Sequence, residues 1–122
     1  MKIIIVEDDK VLSLLLSKMI QRLDYDVLEV ITKGQDAIEK IEALNPDLVL
    51  MDIMLEDDVD GIDAMIALRQ KSIETPVIYI TGNSDPLNRE RAKATNYVEY
   101  LIKPVGFEEL KNTIESLTPT ES

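Results

Sequence analysis

The chain has 122 residues, 45% of them apolar, enough for one hydrophobic core and too few for two. It contains neither cysteine nor histidine, which excludes disulfides, thiolate and imidazole metal sites, cysteine nucleophiles and histidine-based triads. A net charge of −11, from 24 acidic against 13 basic residues, argues against unaided binding to nucleic acid or anionic membrane.

The longest apolar runs fall well short of the roughly 20 residues of a membrane span, and only Lys2 stands between Met1 and strand-like sequence. No signal peptide is visible, and a cytoplasmic location is expected. Ile3 to Val6 is a β-branched run that stops at Glu7-Asp8-Asp9. It is followed by Val11, Leu12, Leu15, Leu16, Met19, Ile20 and Leu23 at helical spacing. Val27 to Ile31 predicts a second strand. Gly34 to Leu44 places Ala37, Ile38, Ile41 and Leu44 on one helical face until Asn45-Pro46 ends it. Asp47-Leu48-Val49-Leu50-Met51-Asp52 then sets four apolar residues between two carboxylates, the pattern of a strand buried on both faces.

Four acids lie between Ile53 and Asp60, and most of that charge is expected to be solvated. Ile62, Met65 and Ile66 predict a third helix running to about Gln70. Pro76 opens the strand Val77 to Ile80, which ends at Thr81-Gly82-Asn83, and Ser84-Asp85-Pro86 supplies a helix start. From Leu87 to Thr95 only Leu87, Ala92 and Ala94 are apolar, so the fourth helix is expected to be weakly anchored. Val98 to Ile102 predicts the last strand, ending at Lys103-Pro104. Phe107, Leu110, Ile114 and Leu117 line a final helix, and residues 118–122 form a polar tail or the start of a linker to a domain of residues 1–117.

Alternation of this kind predicts an α/β fold, a doubly wound parallel sheet with helices on both faces and its functional crevice beyond the carboxyl ends of the strands. Four of the five expected strand ends carry reactive groups: Glu7, Asp8 and Asp9, then Asp52, Thr81 and Lys103. Singly, each has an ordinary explanation as a helix-start acid or a turn residue. Their coincidence is what points to one site. Carboxylates crowded together without histidine call for a hard divalent cation with oxygen ligands, best Mg²⁺. A carboxylate paired with such a cation can act as a nucleophile toward phosphorus, with Lys103 as a point charge for a phosphoryl oxygen and Thr81 as a hydroxyl donor.

These segments, together with Ile80-Thr81-Gly82 and Tyr100-Leu101-Ile102-Lys103-Pro104, resemble the receiver domains of two-component response regulators over essentially the whole chain. The resemblance implies a flavodoxin-like five-stranded sheet of order 2-1-3-4-5. It implies Asp52 as phosphoacceptor and Glu7, Asp8, Asp52 and the backbone carbonyl of Met54 as ligands of Mg²⁺. Lys103 would pair with the phosphoryl group, its peptide bond to Pro104 would be cis, and Thr81 and Tyr100 would form the switch pair. Gly82, Met54 and Asn83 would govern access to the phosphoryl group.

The function implied is a switch that takes its phosphoryl group from a phosphohistidine donor and changes the surface of the fourth helix, last strand and last helix. Expected partners are a sensor histidine kinase or histidine phosphotransfer protein and a downstream effector domain or protein. Direct contact with nucleic acid or membrane is not expected, and a phosphorylation-dependent dimer is compatible. Two departures stand out: Glu56 occupies a position where the family commonly has proline, and the stretch from Asp52 to Gly61 is one residue longer than in the chemotaxis receiver. The competing readings are a Mg²⁺-dependent phosphohydrolase with an aspartyl nucleophile and a non-phosphorylated interaction module. The first usually carries an acid where Met54 stands, so a turnover enzyme is not expected, and the second requires a broken site.

Overall fold

The computed structural model describes residues 1–82 and 85–117. Strand and helix alternate as β1 (Lys2–Val6), α1 (Lys10–Arg22), β2 (Asp26–Ile31), α2 (Gly34–Leu44), β3 (Leu48–Met51), α3 (Gly61–Gln70), β4 (Val77–Thr81), α4 (Pro86–Ala92), β5 (Glu99–Ile102) and α5 (Phe107–Glu115), with a 3-10 turn at Lys93–Thr95. All strand pairs are parallel, in the order β2-β1-β3-β4-β5, so the expected doubly wound sheet is present. Asn83, Ser84 and the expected tail 118–122 lie outside the described residues.

Side chains alternate across the sheet and divide the core in two. Ile3, Ile5, Leu48, Leu50, Ile78, Ile80 and Leu101 pack with Leu16 and Ile20 of α1 and Leu110 and Ile114 of α5. Ile4, Val6, Val49, Met51, Val77, Tyr79 and Tyr100 face the other way, against α2 and α3 and the single buried residue of α4, Ala92. β3 sits centrally and is buried throughout, as its uninterrupted apolar run requires. Asp47 marks its entrance, its carboxylate accepting from the Lys2 amide at 2.7 Å.

α1 follows the expected apolar stripe at Leu12, Leu16, Met19, Ile20 and Leu23 and departs from it at Val11 and Leu15. Its buried face is Ser13, Leu16, Ser17 and Ile20, at i, i+3, i+4 and i+7, while Val11 and Leu15 are 80% and 47% exposed. Leucine and valine occupy both sides of this helix, so spacing alone could not set the edges of that face. The fourth helix is also shorter than the expected Leu87 to Thr95, because its last turn tightens to 3-10 geometry before Asn96 adopts a left-handed conformation.

Two glycines position the segment that follows β3. A Cβ on Gly61 would lie 2.1 Å from the carbonyl oxygen of Asp52, and one on Gly34 2.0 Å from that of Val59. The segment is thus pressed between the N-termini of α2 and α3 at positions where only glycine leaves room. Gly34→Ala and Gly61→Ala should each destabilise the domain by about 1–3 kcal/mol or more, the range for overpacked interiors, read as a lowered urea midpoint. A midpoint equal to that of the unmodified chain would show that the segment yields freely.

Candidate functional site

Strand register decides which side chains meet. Val6 of β1 pairs with Met51 of β3, and Thr81 of β4 with Ile102 of β5, so Glu7, Asp52 and Lys103 each emerge one residue beyond their strands at one end of the sheet. Lys103 Nζ lies 2.9 Å from Asp52 Oδ2 and 2.9 Å from Glu7 Oε1. Asp52, 5% exposed, accepts from the Ile53 amide through Oδ1 at 2.7 Å, and Glu7, 2% exposed, accepts from the Asp9 amide through Oε2 at 3.0 Å. The Lys103–Pro104 bond is cis. The backbone joins the lysine to the neighbouring strand end, with Lys103 N–H donating to the Thr81 carbonyl at 2.8 Å.

Burial and charge pull in opposite directions here. Loss of water raises the Glu7 carboxyl to about 7, against the lowering effect of the Asp9 amide and Lys103. Burial alone would lower the Lys103 ammonium, but Asp52 and Glu7 outweigh it and hold the lysine above its ordinary value. Asp8, the most open member of the group, brings a third carboxylate, and one oxygen from each of Glu7, Asp8 and Asp52 can lie within 4.8 Å of the others. The approach of Lys103 to Glu7 Oε1 is an ion pair without hydrogen-bond geometry, so that oxygen is buried with no hydrogen-bond partner among the described residues. Hard oxygen donors, surplus negative charge and an oxygen open to a further cation fit Mg²⁺. Asp9 stands apart from this set as the N-cap of α1, its carboxylate accepting from the Leu12 amide.

The remaining expected residues are distributed around this cluster. Thr81 is a buried residue at the end of β4, and Gly82 follows it in an exposed position. The Met54 side chain is 66% exposed two residues beyond Asp52, while Asn83 lies outside the described residues. Tyr100 is 4% exposed and pairs in register with Tyr79. Its ring lies 5.9 Å from those of both Tyr79 and Tyr97, beneath the Arg89 guanidinium at 4.4 Å.

In the acidic segment after Asp52, Glu56 and Asp58 are exposed, as expected, but three of the acids also have specific partners. Glu56 accepts from the Thr32 hydroxyl at 2.7 Å, and its amide donates to the Thr32 carbonyl at 3.1 Å. Asp57 caps α2 from outside that helix, accepting from the Gly34 and Gln35 amides at 2.7 and 3.0 Å. Asp60 caps α3 in a reciprocal box with Asp63, and both carboxylates pair with Arg91 at 3.0 and 2.9 Å. α4 is therefore held by ion pairs where its apolar surface is small. The Asp60-x-x-Asp63 spacing is a helix-start signature readable in sequence, whereas the partners Arg91 and Gly34 lie too far along the chain for any local pattern to join them.

The fold and the assembled cluster define a class of protein, and the comparisons agree. The Response regulator receiver domain family matches residues 3–115. The chain is 30% identical over 116 residues to the transcriptional regulatory protein TrcR of Mycobacterium tuberculosis, covering 95% of this chain and 44% of that protein. It is 32% identical over 114 residues to PdtaR of the same species, covering 93% and 55%. Among solved structures, the receiver domain of a modulated diguanylate cyclase from Desulfovibrio desulfuricans G20 superposes with a TM-score of 0.86 at 36% identity, over 94% of this chain and 90% of that one. The BeF3-activated N-terminal receiver domain of Klebsiella pneumoniae RstA gives 0.85 at 29%, over 95% and 97%. The chain belongs to the response regulator receiver domain family. It spans about half the length of the curated relatives it matches.

The Asp57 cap has a signed pH dependence. Partial burial would raise this carboxyl, but the Gln35 and Gly34 amides and others hold it below the ordinary 3.8. Its contribution is complete above that value and is lost as the pH falls through the lower folded value. Asp57→Ala should cost about 1 kcal/mol in urea unfolding at pH 7, with the difference closing in acid, and Asp57→Asn should retain most of the cap. A penalty independent of pH would assign the loss to packing.

Proposed function

We propose that the domain is a phosphorylation-controlled signalling switch in which Asp52 accepts a phosphoryl group from a phosphohistidine of a sensor kinase or histidine phosphotransfer protein. The observation that carries this reading is the pairing of a nearly buried Asp52 with Lys103 beside two further carboxylates. Glu7, Asp8, Asp52 and the Met54 carbonyl would hold Mg²⁺, which when bound supplies positive charge against the repulsion between carboxylate and phosphoryl oxygens.

The chain's own groups do the rest. The Ile53 amide fixes Oδ1 of Asp52 and thereby orients the carboxylate. As an Asp52 oxygen bonds to phosphorus, the phosphorus–nitrogen bond of the donor breaks and an acyl phosphate forms. Lys103, already charged and already at the acceptor, transfers its contact to a phosphoryl oxygen. Thr81 donates its hydroxyl to another such oxygen, and Tyr100, already buried in this structure, is kept in that inward place. Gly82 leaves the approach open.

Phosphorylation then biases the surface of α4, β5 and α5 toward a downstream effector. α1 begins at Lys10, directly after the acidic turn, and its exposed Val11, Leu14 and Leu15 suit the docking of an apolar helical donor beside the crevice. Met54 sets no carboxylate where an aspartyl phosphohydrolase needs one, which supports a switch over a turnover enzyme.

Acetyl phosphate should label the chain only when Mg²⁺ is present, giving an acid-stable, base-labile adduct that disappears in Asp52→Asn. Undiminished labelling of that variant would move the acceptor elsewhere. Met54→Glu or Met54→Asn should change the dephosphorylation rate several-fold, equivalent to roughly 1 kcal/mol of barrier, by altering the path of attacking water. Equal lifetimes would remove Met54 from that path.

A further inference from the structure

Tyr100 is buried at an energetic disadvantage. Its hydroxyl has no hydrogen-bond partner among the described residues, and an unsatisfied buried hydroxyl favours any arrangement that returns it to water. Ring contacts oppose this from within, through Tyr79 and Tyr97. From outside, the opposing group is Arg89, whose guanidinium covers the ring at 4.4 Å. Attraction between an exposed arginine and an aromatic face is of the same order as the hydroxyl's penalty, so this one contact can decide where Tyr100 resides.

Arg89 can cover the ring only if α4 stays in place, and α4 buries just Ala92. Beyond its end, the buried Thr95 is bound by Tyr79 and Arg69; the helix itself is tied by Arg91, two residues along, which reaches the Asp60 and Asp63 carboxylates at the start of α3 and the Asn88 side chain at 3.1 Å. Asp60 closes the segment that begins at Asp52. A continuous chain of contacts therefore runs from the carboxylate cluster, through the Asp52–Asp60 segment and Arg91, to α4, Arg89 and Tyr100.

We infer that Arg89 is the positioning residue that holds Tyr100 in its buried place, and that Arg91 supports it by tying α4 to the helix start beyond Asp52. The inference rests on the reading of Thr81 and Tyr100 as a switch pair only for its signalling consequence; the placement of Tyr100 stands by itself. Arg89 acts through Tyr100 and touches no reacting atom. If the buried ring accompanies the phosphorylated arrangement, loss of Arg89 weakens the response to phosphorylation by the share of the population it releases.

The test places 3-fluorotyrosine at position 100 of the full chain and measures its ¹⁹F shift and its H₂O/D₂O isotope shift, first without and then with beryllofluoride and Mg²⁺. Arg89→Met should move the resonance toward the solvent-exposed position and weaken beryllofluoride binding about two- to fivefold. Arg89→Lys should restore part of both, since an ammonium retains the charge but not the planar stack. Arg91→Gln should shift the resonance in the same direction, and Glu90→Gln, on the exposed side of α4, should leave it unmoved. An unchanged Tyr100 resonance in Arg89→Met overturns the positioning role, and an unchanged one in Arg91→Gln overturns the support from α3. If the unmodified chain fails to bind beryllofluoride, the phosphoryl-switch reading falls, while the resonances recorded without it still decide the role of Arg89.

Discussion

One lysine between two carboxylates governs the arrangement at the sheet's carboxyl end. Glu7 and Asp52 are nearly withdrawn from water and sit beside each other, a placement that costs several kcal/mol per ion unless a cation compensates. Lys103 does so at 2.9 Å to each. Meeting both requires β1, β3 and β5 to end at one level, and this the parallel registers ensure. The arrangement is stable yet still acidic, because three carboxylates face a single ammonium. That surplus is what suits the site to a divalent ion.

The segment leaving Asp52 is held with comparable strictness by different means. Gly34 and Gly61 set its distance from two helices, and Glu56, Asp57 and Asp60 fasten it to β2, α2 and α3 in turn. Arg91 extends the same framework to α4, so a helix that buries little apolar surface has a defined resting place whose bonds are partly open to water. Such bonds are weaker and more easily exchanged than a packed core.

Much of this was legible in sequence because local rules and the tertiary solution coincide. The apolar runs at Ile3 to Val6 and Leu48 to Met51 could only be strands buried on both faces, and the reactive residues stood at their ends, where a parallel sheet gathers them. Asn45-Pro46 and Asp85-Pro86 marked helix boundaries through backbone chemistry that tertiary contacts seldom override. The buried face of α1 was legible only in part: Leu12, Leu16, Met19, Ile20 and Leu23 pack on the core as expected, while serine at 13 and 17 is buried and valine and leucine at 11 and 15 face water. The partners of the acidic segment were not legible, because a carboxylate caps whichever amides the fold brings near it. Asp57 and Gly34 are joined only through the fold.

The fastening of that segment also changes the meaning of the chain's formal charge. Asp57 lies against the amide end of α2, and Asp60 and Asp63 against a guanidinium, so these carboxylates project much less field outward than a count of acids implies. An anion approaching the crevice therefore meets a local potential milder than −11 suggests, shaped mainly by the few groups at the crevice itself.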